Sequence, residues 1–196
     1  DLKNNYQYLV ENDSVPKIYS EHNYLDYYVE RNDFIIKKLF KEKWVSKDKL
    51  VLAGHSEGSS IVAKLATKNK KVTHLIYSGG NPYGRILNML EEEIFKQKKY
   101  ELIEYWKFVV ENKNNLVYNG GDTYKGTYDF SQPSAIYLKK LKIPVLITYG
   151  TKDWSAPYND LLQIESIQKG LKNIEYKPYF DLEHNYFPVN EKLEPN

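Results

Sequence analysis

Cysteine is absent from these 196 residues and methionine occurs once. The first absence excludes disulfides, thiol nucleophiles and cysteine-bearing metal sites, and it fits a reducing or an oxidising compartment alike. No apolar run approaches the roughly 20 residues that a membrane-crossing helix needs, so the chain reads as soluble, without a membrane span. An excess of one charge is also lacking. The 28 basic and 26 acidic residues are interspersed, which leaves no basic patch for a phosphate backbone and no expectation of nucleic acid as a partner. Histidines and carboxylates do not cluster at ligand spacing, so neither a metal nor a cofactor is expected. Tyrosine is plentiful at 19 residues, but abundance alone implies no chemistry.

The most informative segment is Gly54-His55-Ser56-Glu57-Gly58. It follows the apolar run Leu50-Val51-Leu52-Ala53 and precedes Ser60-Ile61-Val62-Ala63-Lys64-Leu65, so it joins a buried strand to a helix. A G-x-S-x-G turn in that setting is a nucleophile elbow, which holds its serine in a strained conformation at the top of a sheet. The same turn aims the backbone amide of Glu57 at the position where an oxyanion would develop. The competing reading is an ordinary glycine-rich turn.

Around the elbow, helices and strands alternate as in a parallel sheet with crossover helices. Spacing of Leu25, Tyr28, Val29, Ile35, Ile36, Leu39 and Phe40 predicts an amphipathic helix over 23–43. Strand 49–53, helix 57–67 and strand 72–78 follow. About sixty residues then interrupt the alternation, predicting an insertion over 81–140 between core segments 1–80 and 141–196. Within it the pattern gives two helices around 86–94 and 102–110, a glycine- and tyrosine-rich loop over 119–130, and a short helix over 133–140. Strand 144–149, helix 158–169 and strand 174–179 complete the order. The first twenty residues carry no assignable pattern.

A serine hydroxyl needs a histidine to take its proton, and the imidazole needs a carboxylate to fix its tautomer. In chain order the acid should come next and the histidine last. Asp153, in Gly150-Thr151-Lys152-Asp153-Trp154, follows a predicted strand at the carboxyl edge where open sheets meet ligands. Its alternative role is to cap the helix after Pro157, a role Ser155 shares. His184 follows the last strand and is the candidate base, the alternative being a solvated loop residue. His22 precedes the first helix, His55 is expected beside the elbow strand, and His74 falls in a strand expected to be buried. Glu57 is a candidate pocket residue or a helix N-terminal acid. Asp122 and Asp129 read as loop residues. Trp106, Tyr83 and Tyr124 suit either a substrate pocket or packing of the insertion on the core.

Taken together, Gly54-His55-Ser56-Glu57-Gly58, Gly150-Thr151-Lys152-Asp153 and Glu183-His184 resemble the α/β-hydrolase superfamily, with a narrower likeness to the dienelactone hydrolase and prolyl oligopeptidase branch. The resemblance implies an α/β three-layer sandwich with a mostly parallel sheet, of which this chain is the C-terminal portion, and a helical cap formed by the insertion. It implies Ser56 as nucleophile, Asp153 as orienter, His184 as base and acid, and a small-molecule or peptide ester, thioester or amide as substrate. Family members carry further strands before the elbow strand, and a loop among them supplies the second oxyanion donor. A missing N-terminal segment of the same protein is therefore an expected partner. The elbow strand should present an open hydrophobic edge. The alternative reading is a non-catalytic hydrolase-like binding module or an inactive fragment of a longer hydrolase.

Overall fold

The computed structural model describes residues 15–95, 99–119 and 122–190. Four strands form the main sheet: β1 (Val51–His55), β2 (His74–Ser78), β5 (Val145–Gly150) and β6 (Ile174–Tyr179), all parallel and in the spatial order β1-β2-β5-β6. Because the strands run together, their carboxyl ends share one edge. The loops after β1, β5 and β6 carry Ser56, Asp153 and His184, so the topology delivers all three there.

Helices α1 (Lys17–His22) and α2 (Leu25–Leu39) precede β1. The helix predicted over 23–43 is α2, shorter at both ends, and α1 begins in the preceding stretch that carried no assignable pattern. The boundary between the two helices at Asn23 and Tyr24 has a cause. The buried Asn23 side chain donates to Asp122 Oδ1 at 2.6 Å and to Tyr19 Oη at 2.8 Å, and accepts from Tyr28 Oη at 2.8 Å. A residue committed to that many partners outside its own turn competes with helix continuation.

Helix α3 (Glu57–Lys68) packs between the sheet and α2, with Ile61, Val62, Ala63 and Leu65 buried against Leu25, Val29 and Ile36. Full burial of each large aliphatic side chain contributes about 1.5–3 kcal/mol. Helix α8 (Ala156–Gln168) returns the chain from β5 to β6 and lies over the same face: Tyr149 Oη donates to Asp160 Oδ1 at 2.5 Å, and Tyr176 Oη bonds Ser166 Oγ at 2.8 Å.

Period-two alternation shows which face the helices cover. Leu52, Leu75, Tyr77, Val145, Ile147 and Tyr149 are buried. On the opposite face Val51 is 52% exposed, and Ala53, His74, Glu175 and Lys177 are exposed as well. Among the described residues the helices therefore occupy one face, and β1 is an edge strand. His74, expected in a buried strand, opens β2 on the uncovered face and is exposed.

The segment between β2 and β5 contains α4 (Arg85–Phe95), α5 (Lys99–Glu111), the short antiparallel pair β3 (Tyr118–Asn119) and β4 (Asp122–Thr123), α6 (Tyr124–Phe130) and α7 (Ala135–Leu138). Of the loop expected over 119–130, residues 122–130 are instead the strand β4 and the helix α6, whose start is set by capping, as Thr123 Oγ1 accepts from the Gly126 amide at 2.9 Å; residues 120 and 121 lie outside the described residues. No described helix is long and apolar enough to cross a membrane.

Candidate active site

Ser56 joins β1 to α3 with φ 55° and ψ −124°, a left-handed conformation that a side chain disfavours. Such strain persists only where the surroundings over-determine it. One over-determining contact is visible at Gly54, where an added Cβ would collide with the carbonyl of Gly58 and approach Val62. Gly58 differs. It sits inside α3 with open space around it, so the turn requires the first glycine of the motif and not the second.

Behind Ser56 the side chains fall into line. His184 Nε2 lies 2.8 Å from Ser56 Oγ, and His184 Nδ1 lies 2.8 Å from Asp153 Oδ2. The Asp153 side chain is 1% exposed, whereas that of His184 is 32% exposed and faces the cavity over Ser56. Asp153 also uses its second oxygen, Oδ1, to accept from the Ser155 amide at 2.8 Å. That bond closes a turn before α8 and does not cap it: Ser155 is the N-cap residue, and no side chain caps the helix. The Asp153 hydrogen bond raises the His184 pKa above the ordinary 6.5, and burial opposes that rise. At this geometry a neutral imidazole with its proton on Nδ1 presents Nε2 as an acceptor to the serine hydroxyl.

Glu57 heads α3, so its amide is among those with no intrahelical acceptor. Its side chain lines the cavity and accepts from Arg85 Nη1 at 2.8 Å, while Arg85 Nη2 donates to Asp122 Oδ2 at 2.7 Å. Burial raises the Glu57 pKa and the Arg85 charge offsets part of that rise. Asp122 is consequently no loop residue. It is buried and ties the segment after β2 to both Glu57's partner and Asn23. Asp129 is half-buried and pairs with Lys125 at 3.1 Å.

The cavity beside Ser56 holds about 180 Å³ and is walled by Glu57, Ser60, Asn81, Arg85, Asn88 and Phe130. Trp106, Tyr83 and Tyr124 are not among its walls. Trp106 stacks on Tyr128, Tyr124 meets Phe108 edge-on, and Tyr83 Oη donates to Glu165 Oε2 at 2.6 Å. All three serve packing. Among the described residues no group of three or more His, Asp or Glu side chains could hold a metal ion.

His55 departs from expectation. Its ring is exposed at the site edge, 4.9 Å from the His184 ring, with Nδ1 3.1 Å from Ser78 Oγ. Tyr186, Asn81, Asn88 and Phe130 carried no sequence signal for this neighbourhood. Only the proximity of Tyr186 to His184 in the chain pointed there.

A parallel sheet with a serine turned out of left-handed backbone after its edge strand, and with helices flanking that sheet, is the α/β-hydrolase fold. The chain belongs to the BAAT / acyl-CoA thioester hydrolase C-terminal family, whose model matches residues 24–180. No curated protein matches it. Similar solved structures include ferulic acid-bound Est1E from Butyrivibrio proteoclasticus, at 15% identity and TM-score 0.54, with 83% of this chain and 61% of that one covered. The Pyrococcus furiosus esterase Pf2001 matches at 14% identity and TM-score 0.53, covering 80% and 52%. A monoacylglycerol lipase from Paleococcus ferrophilus matches at 17% identity and TM-score 0.53, covering 83% and 68%. At these identities the likeness is one of fold. The chain spans about half to two thirds of the length of these structures.

Proposed function

We propose that this chain is the nucleophile-bearing part of a serine hydrolase that cleaves an ester, thioester or amide through an acyl-enzyme. The observation that carries the reading is the unbroken line Ser56 Oγ to His184 Nε2 to Asp153 Oδ2, with 2.8 Å at each step. Family membership supports it, and the family description makes a thioester the first bond to try.

In the proposed reaction Ser56 Oγ attacks the substrate carbonyl carbon while His184 Nε2 takes the hydroxyl proton. The Glu57 amide stabilises the resulting oxyanion. As the tetrahedral species collapses, His184 returns the proton to the departing alcohol, thiol or amine. Water then attacks the acyl-serine, again giving its proton to His184, and a second collapse frees the acid and restores Ser56. Asp153 stays ionised throughout and stabilises the imidazolium. The segment 81–140 acts as a cap, because Arg85, Asn88 and Phe130 wall the cavity over Ser56. An N-terminal segment of the longer protein would pair with the open edge of β1 and supply the second oxyanion donor.

Labelling with a fluorophosphonate probe tests the proposal. The protein should become labelled on Ser56, and Ser56→Ala should abolish the signal. Equal labelling of parent and variant would sink it.

A further inference from the structure

We propose that Tyr186 is a positioning residue for His184, acting through a hydroxyl brace that joins the loop after β6 to β2 and β5. The inference rests on the hydrolase reading above and extends it to a residue outside the Ser56, His184 and Asp153 line.

His184 sits on an unusual support. The loop after β6 contains two non-glycine residues in the left-handed region, Asp181 at φ 59° and Tyr186 at φ 64°. Within it the Glu183 side chain accepts from the amides of Asn185 at 2.9 Å and Phe187 at 3.0 Å, and the Tyr186 amide donates to the Glu183 carbonyl at 3.0 Å. These bonds shape the loop internally. They do not fix it to the sheet.

Tyr186 makes that attachment close to the reacting line. Its Oη lies 2.6 Å from Ser78 Oγ, at the end of β2, and 2.7 Å from Thr148 Oγ1, on β5. Ser78 Oγ in turn lies 3.1 Å from His55 Nδ1, and the His55 ring is 4.9 Å from that of His184. Thr148, Tyr186, Ser78 and His55 therefore form one chain of three hydrogen bonds. With Thr148 donating to Tyr186, Tyr186 to Ser78 and Ser78 to His55 Nδ1, every hydroxyl donates once; in the reverse direction His55 Nδ1 is the first donor and Thr148 the last acceptor. The chain ends on a ring packed against His184. Its other attachment is covalent, since only Asn185 separates Tyr186 from His184.

The backbone of Tyr186 adds to the argument. A tyrosine held at positive φ is strained, and this strain is sustained where other contacts over-determine the residue. Here they are the two hydroxyl bonds and the edge-on packing of Tyr179, 5.3 Å between centroids. Without the phenol oxygen the loop keeps its shape and its bonds to the turn after β5, where Leu182 accepts from the Lys152 amide and the Asp181 amide donates to Thr151 Oγ1, but it loses its side-chain tie to Ser78 and Thr148. Reacting groups tolerate little displacement, since about 1 Å of misplacement can cost 10²-fold in rate.

The test is Tyr186→Phe in the protein, read by the second-order rate of fluorophosphonate labelling and, with an ester substrate, by kcat and KM separately. The expected result is a fall of about tenfold in labelling rate and kcat, with KM and the melting curve little changed. Ser78→Ala and Thr148→Val, each removing one of the two anchors, should show smaller falls of the same kind. Labelling of Tyr186→Phe at the parent rate would overturn the inference alone. Labelling of neither protein would overturn the hydrolase reading and this inference with it. A fall confined to KM, or one matched by loss of the folded state in all three variants, would also count against a positioning role.

Discussion

Replacing Asp153 by asparagine should cost far more than the loss of one charge, because the two oxygens of Asp153 have different partners. Oδ1 accepts from the Ser155 amide and Oδ2 faces His184 Nδ1, each at 2.8 Å, in a side chain that is 1% exposed. An asparagine has one acceptor end and one donor end. The buried Ser155 amide can only donate, so the amide oxygen must turn to it and the NH2 group must face His184. That NH2 requires Nδ1 to be the unprotonated nitrogen, which moves the imidazole proton to Nε2 and points a donor at Ser56 Oγ. The proton acceptor of the proposed mechanism is then gone while the geometry remains. A carboxylate-to-amide change with this effect on tautomer lowers kcat by about 10⁴ in serine hydrolases, or about 5.5 kcal/mol at roughly 1.36 kcal/mol per decade. The assay is kcat/KM on an activated ester or thioester, with fluorophosphonate labelling rate as a second readout and thermal unfolding as a control. A folded Asp153→Asn protein within about threefold of the parent would refute the reasoning.

The pH profile offers a second check. His184 must be neutral to accept a proton, and its pKa is raised, so the acidic limb of kcat/KM should be centred above the ordinary 6.5 and activity should rise with pH through it. Glu183 contributes to the rise, so Glu183→Gln, which keeps the acceptor oxygen, should move the limb downward; a limb at or below 6.5 in the parent would contradict the geometry. The same shift carries a stability sign. The His184–Asp153 interaction stabilises the fold fully below the unfolded imidazole pKa and is lost as pH rises through the higher folded value. A third check compares the two faces of the sheet. Leu75→Ala, at a side chain buried under the helices, should cost about 2–5 kcal/mol in denaturant unfolding. Val51→Lys on the uncovered face should change stability by no more than about 0.5 kcal/mol. A cost above about 1.5 kcal/mol at Val51 would show that its face is covered.

Local chemistry made part of this legible in the sequence. The order of strands and helices follows from apolar runs and 3.6-residue spacing, and Ser56, Asp153 and His184 could be picked out because each follows a strand in a required order. What stayed hidden depends on pairs distant in the chain. Asn23, between α1 and α2, is held by Asp122, 99 residues away, and propensity alone has no access to that bond. His74 and Val51 read as buried since their strands are apolar enough for two covered faces, yet the described helices cover one. His55 and Tyr186 gain their place through Ser78 and Thr148, residues with no signature of their own. Phe130 reaches the cavity because Thr123 starts a helix where glycines and tyrosines suggested a loop.

The bonds that Asn23 makes carry one more consequence. From Asn23 the contacts run to Asp122, from Asp122 to Arg85, and from Arg85 to Glu57, the residue whose amide stands beside Ser56. The outermost helices, the insertion and the turn that bears the serine are therefore strung on a single polar thread. Lifting the insertion away from the sheet would break that thread at both ends, between Arg85 and Glu57 and between Asp122 and Asn23. The guanidinium that walls the cavity beside the serine is also the one that bonds the Glu57 carboxylate.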